Sequence, residues 1–166
     1  MILLLSVGVF LAWVVMVAVS DIRYRRIPNS LVVAGLICGF VSTMTRYNPF
    51  DITLAAAIIG AVIGFVGLFP FFAWRLMGAA DVKVFTVLGL WCGFRGLFWC
   101  WIVASLAALI HVIGLMYWTR TPIGALWQRG SPALTLGARR GSPYAAFLVI
   151  PAAGWLIYLI VTGNLR

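Results

Sequence analysis

The chain has 166 residues, 64% hydrophobic and 9% charged, with 12 Lys plus Arg, 3 Asp, no Glu and a formal net charge of +9. A soluble domain covers itself with roughly 25–35% charged residues, so the composition excludes a water-facing exterior and predicts an all-α, polytopic integral membrane protein. Apolar runs approaching the ~20 residues that cross a bilayer recur along the chain, which excludes a soluble enzyme on one anchor.

The first run, Ile2 to Ser20, lacks a basic segment before it and a small-residue cleavage site after it. It reads as a transmembrane helix and not as a signal peptide. Further runs extend from about Ser30 to Thr45, Thr53 to Trp74, Val82 to Phe94, Leu97 to Trp118 and Tyr144 to Thr162, making about six spans in one membrane-embedded domain over residues 1–166. An outside amino terminus puts Arg23, Arg25, Arg26, Arg75, Lys83, Arg120, Arg129, Arg139 and Arg140 in cytoplasmic loops and leaves Arg46, Arg95 and Arg166 outside. Topology and attraction to anionic lipid headgroups account for the basic charge, and no nucleic-acid partner follows from it. Cys38, Cys92 and Cys100 lie in apolar stretches without C-x-x-C spacing and read as small buried side chains, with no disulfide or metal site indicated.

The same topology sorts the acidic residues. Asp21 ends the first helix on the cytoplasmic side, Asp81 begins the fourth on that side, and Asp51 lies in an outer loop. The second and fourth runs, about 16 and 13 residues long, fall short of a ~30 Å hydrocarbon core, so they draw the segments around Pro28 and Asp81 toward the membrane surface. Gly35 with Gly39, and Gly60 with Gly64, have the G-x-x-x-G spacing of close helix packing. The longest loop, Thr119 to Pro143, is broken by glycine and proline and reads as a basic surface loop, with a groove cover as the alternative.

Ionisable groups in a bilayer are costly and tend to be paired or functional. Asp81 has a structural reading as a helix N-cap, and Asp21 as a partner of Arg25 one turn later. Asp21 stands at a helix carboxyl end, where the macrodipole disfavours negative charge, so capping of its own helix does not explain it. Taken together, two carboxylates on one face, with no His nearby to form a triad, are the minimum set for aspartic peptide hydrolysis. The dipoles alone assign Asp81 as the ionised base and Asp21 as the protonated partner.

Asp21-Ile22-Arg23-Tyr24-Arg25-Arg26-Ile27-Pro28-Asn29 resembles the D-x-x-x-x-x-I-P-N signature of type IV prepilin peptidases, and Gly78-Ala79-Ala80-Asp81-Val82-Lys83 resembles their G-x-G-D-x-K signature. Ser142-Pro143-Tyr144-Ala145-Ala146-Phe147 is similar to the P-Y-x-x-F stretch before that family's last helix. Ala80 replaces the second glycine of G-x-G-D and lacks glycine's access to positive φ. The cysteine-rich region that long members carry with their methyltransferase activity is absent, so the chain resembles the short, peptidase-only form serving Flp/Tad pili.

The resemblance implies cleavage of a prepilin, a basic leader followed by an apolar helix, on the cytoplasmic side of the bacterial inner membrane after a glycine. Asp21 and Asp81 would be the catalytic pair, with water as nucleophile and no metal or organic cofactor. Pro28 and Asn29 are assigned to loop shape, Asn29 or Ser30 also reading as a helix cap. Gly78 and Ala80 leave room for a substrate backbone, and Lys83 raises the local positive potential. Two alternatives remain: a non-enzymatic membrane subunit or small transporter with structural aspartates, for which His111 is the candidate intramembrane ionisable group, and a presenilin-like intramembrane protease, whose aspartates sit deeper in their helices.

Overall fold

A computed structural model describes residues 1–24, 26–74, 77–120 and 144–163. Among these residues the chain is helical with no strand, in the order Ile2–Tyr24 (α1), Asn29–Met44 (α2), Leu54–Ala73 (α3), Ala79–Arg120 (α4) and Tyr144–Val161 (α5). Among the described residues, four helices are long and apolar enough to cross a membrane: α1, α3, the Ala79–Gly114 stretch of α4, and α5. This is a multi-pass membrane protein, and α2, with 16 residues, is the short apolar helix among them.

The fourth and fifth expected runs follow one another as the two arms of α4, with only a break at Gly93, φ 65° and ψ 179°, between them. That backbone region is essentially reserved for glycine, and here it folds the chain back. A methyl group at Gly64 would meet the Phe85 carbonyl oxygen at 3.0 Å and Leu97 Cδ2 at 3.2 Å. Twelve residues of straight helix would hold Phe85 and Leu97 about 18 Å apart. The loop expected from Thr119 to Pro143 falls, from residue 121 onward, outside the described residues.

Inside a bilayer, water expulsion does not drive helices together, and close packing with satisfied polar groups must do so. The glycine pairs serve this in two ways. On α3, Gly60 lies against the backbone of Gly89 and Gly93, and Gly64 against Phe85, so any side chain would push two helix backbones apart. On α2, the glycines are notches for tryptophans. A methyl at Gly35 would meet Trp13 Cε2 at 2.7 Å, and one at Gly39 would meet Trp91 Nε1 at 2.8 Å. Both indoles find acceptors, Trp13 Nε1 donating to the Leu31 carbonyl at 2.9 Å and Trp91 Nε1 to the Gly35 carbonyl at 3.0 Å.

The Gly93 break leaves helix carbonyls in need of donors, and a buried asparagine supplies one. Asn48 Nδ2 donates to the Trp91 carbonyl at 3.2 Å and to Thr43 Oγ1 at 2.9 Å, while Asn48 Oδ1 accepts from Phe50 N at 2.8 Å. Phe10, with rings of Phe50 and Trp91 at 5.2 and 5.0 Å, fills the centre. At the α3 start, Thr53 caps the helix by accepting from Ala56 N. The opposite end of the bundle gathers the carboxyl end of α1 and the amino ends of α2, α4 and α5, joined by the contacts described next.

Candidate active site

Asp21 occupies the last turn of α1 and is 8% exposed. Its Oδ2 accepts the backbone N–H of Ala146 at 2.9 Å. Ala146 is the third residue of α5, one of the first four amides of a helix, which have no partner within it. Asp21 therefore serves the amino end of a different helix. The dipole reasoning that separates the two aspartates by sequence is corrected by this contact, because both carboxylates stand at helix amino ends and helix dipoles no longer order them. Arg25, the other candidate partner of Asp21, lies outside the described residues.

Asp81 is the third residue of α4, within its first turn and not at the N-cap. Its carboxylate turns back toward the Gly78 backbone amide, while its own N–H donates to the Gly78 carbonyl at 3.2 Å. A methyl group at Gly78 would lie 3.2 Å from Asp81 Oδ2. Glycine here keeps the carboxylate's resting place open. Asp81 is partly buried, and its carboxyl lies close enough to that of Asp21 for their charges to interact. Two aspartates from separate helices thus share one end of the bundle, while Asp51 lies in an exposed turn with φ 49° beside a recess lined by Arg46 and Asn48.

The departure at Ala80 has a plain geometric account. Ala80 is helical and partly packed against the core, and it is not among the described non-glycine residues with positive φ. The geometry asks nothing of it that alanine lacks.

Pro28 and Asn29 start α2, but not as expected. Pro28 holds the N-cap position with φ −65° and ψ 141° and has no side-chain cap, so neither Asn29 nor Ser30 caps the helix. Asn29 Oδ1 instead accepts from Lys83 Nζ at 2.7 Å. Lys83 lies two residues after Asp81, so this bond ties the two sequence signatures together at an exposed edge.

Two further groups find their partners only in the fold. The Tyr144 hydroxyl pairs with Ser105 Oγ at 3.1 Å, has Trp101 beside it, and lies within electrostatic reach of Asp81. Tyr144 belongs to the P-Y-x-x-F-like stretch, whereas Trp101 and Ser105 reach the site only because α4 folds back at Gly93. His111 stands with its ring 5.5 Å from that of Phe147. Among the described residues, no group of three or more His, Cys, Asp or Glu is placed to hold a metal ion.

A family model described as the type IV leader peptidase family matches residues 8–113. The chain belongs to this family. The matched stretch contains Asp21, Pro28, Asn29, Gly78, Ala80, Asp81 and Lys83, and ends before Tyr144 and Ala146. The chain is 26% identical over 160 residues to a prepilin leader peptidase/N-methyltransferase of Xanthomonas campestris pv. campestris, covering 88% of this chain and 48% of the relative. It is 27% identical over 141 residues to a type 4 prepilin-like proteins leader peptide-processing enzyme of Escherichia coli O78:H11, covering 80% of this chain and 49% of the relative. The chain spans about half the length of these curated relatives. No solved structure matches it.

Proposed function

We propose that this chain is an aspartic endopeptidase that removes the leader of a type IV, Flp/Tad-like prepilin, cleaving after a glycine that precedes the pilin's apolar helix. The observation that carries the reading is the pairing of Asp21 with Asp81. The two are 60 positions apart in sequence, yet they stand within electrostatic reach at one end of the bundle. Membership of the type IV leader peptidase family supports the same chemistry.

In the proposed reaction one carboxylate takes a proton from water as the water oxygen attacks the scissile carbonyl carbon. The other, protonated, hydrogen-bonds the carbonyl oxygen. Collapse of the tetrahedral intermediate breaks the C–N bond, and the leaving amine takes the proton. Like charges at close range resist ionising together, which suits a pair that must hold one proton between them. The Ala146 N–H holds the Asp21 carboxylate, the Gly78 backbone lies against the carboxylate of Asp81, and Lys83 with Asn29 keeps the second signature beside the first. The active site would face the cytoplasm at the inner membrane, the side on which the positive-inside bias puts Arg23, Arg26 and Lys83. Pro28, Asn29, Gly78, Ala80 and Lys83 shape the site without taking part in proton transfer. Methyl transfer forms no part of the proposal.

A second reading draws on the same contacts: Asp21 and Asp81 brace the amino ends of α5 and α4 in a non-enzymatic membrane subunit. Co-expression with a prepilin separates the two. The peptidase reading expects loss of leader removal in Asp21→Asn and Asp81→Asn and retention in Asp51→Asn. Efficient cleavage by Asp81→Asn would sink it.

A further inference from the structure

A groove of about 180 Å³, nearly all apolar, opens between α3 and the two arms of α4. Its walls are formed by Gly67 and Phe71 of α3 and by Phe85, Leu97, Phe98 and Trp101 of α4. Three features connect it to the aspartates. Phe85 follows Asp81 by four residues and so lies on the same helix face, one turn deeper. Trp101 forms part of the groove with its ring and lies beside Tyr144, whose hydroxyl lies within electrostatic reach of Asp81. Gly67 opens the wall, since a methyl group there would meet no atom within 4 Å. An engineered cavity of ~150 Å³ accepts a benzene, so this groove has room for one bulky apolar side chain.

Resting on the peptidase reading above, we propose that the groove receives a bulky apolar side chain from the substrate's own helix and thereby sets which prepilins are cut. A substrate helix entering beside Asp81 and running along α4 rises ~1.5 Å per residue. It brings positions about four to eight past the scissile bond level with Phe85 and Leu97, with Gly67 roughly one turn nearer the carboxylates. The groove acts as a hole for one knob of that helix, and the knob holds the glycine bond at the carboxylates.

The test uses the full chain in lipid vesicles and two prepilins, one with its natural apolar helix and one with positions four to eight after the scissile bond changed to alanine. Gly67→Phe fills the groove from its open side. It is expected to lower kcat/KM for the natural prepilin by about tenfold or more, through KM, as expected when a fitted apolar side chain is excluded, and to leave the alanine prepilin within about twofold. Gly8→Phe, on α1 where a methyl also meets nothing within 4 Å, is expected to treat both substrates as wild type does. Equal effects of Gly67→Phe on both substrates, or none on either, overturn the proposal and leave the groove to lipid chains. Failure of wild type to cut either prepilin, or cutting by Asp81→Asn, overturns the peptidase reading itself, which separates the two failures.

Discussion

Asp21 Oδ2 and the backbone N–H of Ala146 meet at 2.9 Å across 125 positions of sequence. The bond makes Asp21 both half of the aspartate pair and the support for α5, and the two duties come apart under substitution. Asp21→Asn keeps an acceptor oxygen for Ala146, so it is expected to keep the thermal unfolding midpoint in detergent close to wild type while abolishing leader cleavage. Asp21→Ala leaves a buried N–H unpaired and is expected to lose ~1–3 kcal/mol of stability as well. Equal midpoints for the two variants would contradict the bracing role.

Gly78 and Ala80 flank the second aspartate and should respond in opposite ways. A side chain at Gly78 would press on Asp81 Oδ2 at 3.2 Å, so Gly78→Ala is expected to fold and to lower cleavage by less than the ~10²-fold of a ~1 Å misplacement. Ala80→Gly restores the glycine of the family signature inside a helix. It is expected to cost ~0.5–1 kcal/mol with no gain in rate. Faster cleavage by Ala80→Gly would show that the loop needs a freedom the helical geometry does not use.

Lys83 and Asn29 are joined by a 2.7 Å hydrogen bond at an exposed edge. In a double-mutant cycle, Lys83→Met and Asn29→Ala are expected to show a coupling of ~0.5–1 kcal/mol in unfolding. Each single variant should lower cleavage modestly by loosening α2 from α4. Fully additive effects would separate the two signatures.

Gly93 and Gly60 test the fold itself. Gly93→Ala places a side chain at φ 65° and ψ 179°, with an expected cost of ~1–3 kcal/mol. Gly60→Ala forces apart the α3 and α4 backbones at Gly89 and is expected to lose folded protein. Gly8→Ala, with open space around it, is the matched neutral control in size-exclusion chromatography and thermal melts.

Composition and apolar runs by themselves determined the membrane class and the start of α3 at Thr53, and the order of neighbouring residues carried the resemblance that singled out Asp21 and Asp81. These are local properties, set by which residues stand next to one another. Tertiary structure alone decided the partners. Asp21 looked like a carboxylate at the wrong end of its helix until Ala146 supplied the amino end of another. Asn29 looked like a cap until Lys83 took its oxygen. Val82 to Phe94 and Leu97 to Trp118 read as separate runs and stand as the two arms of α4, but Gly93, one of 17 glycines, had no neighbour in sequence to mark it as the place where the chain turns back. The return brings Trp101 and Ser105 to Tyr144 and opens the groove beside Phe85. Such contacts depend on which helix faces meet, and in a bilayer shape and hydrogen bonding decide that, because nearly every face is apolar.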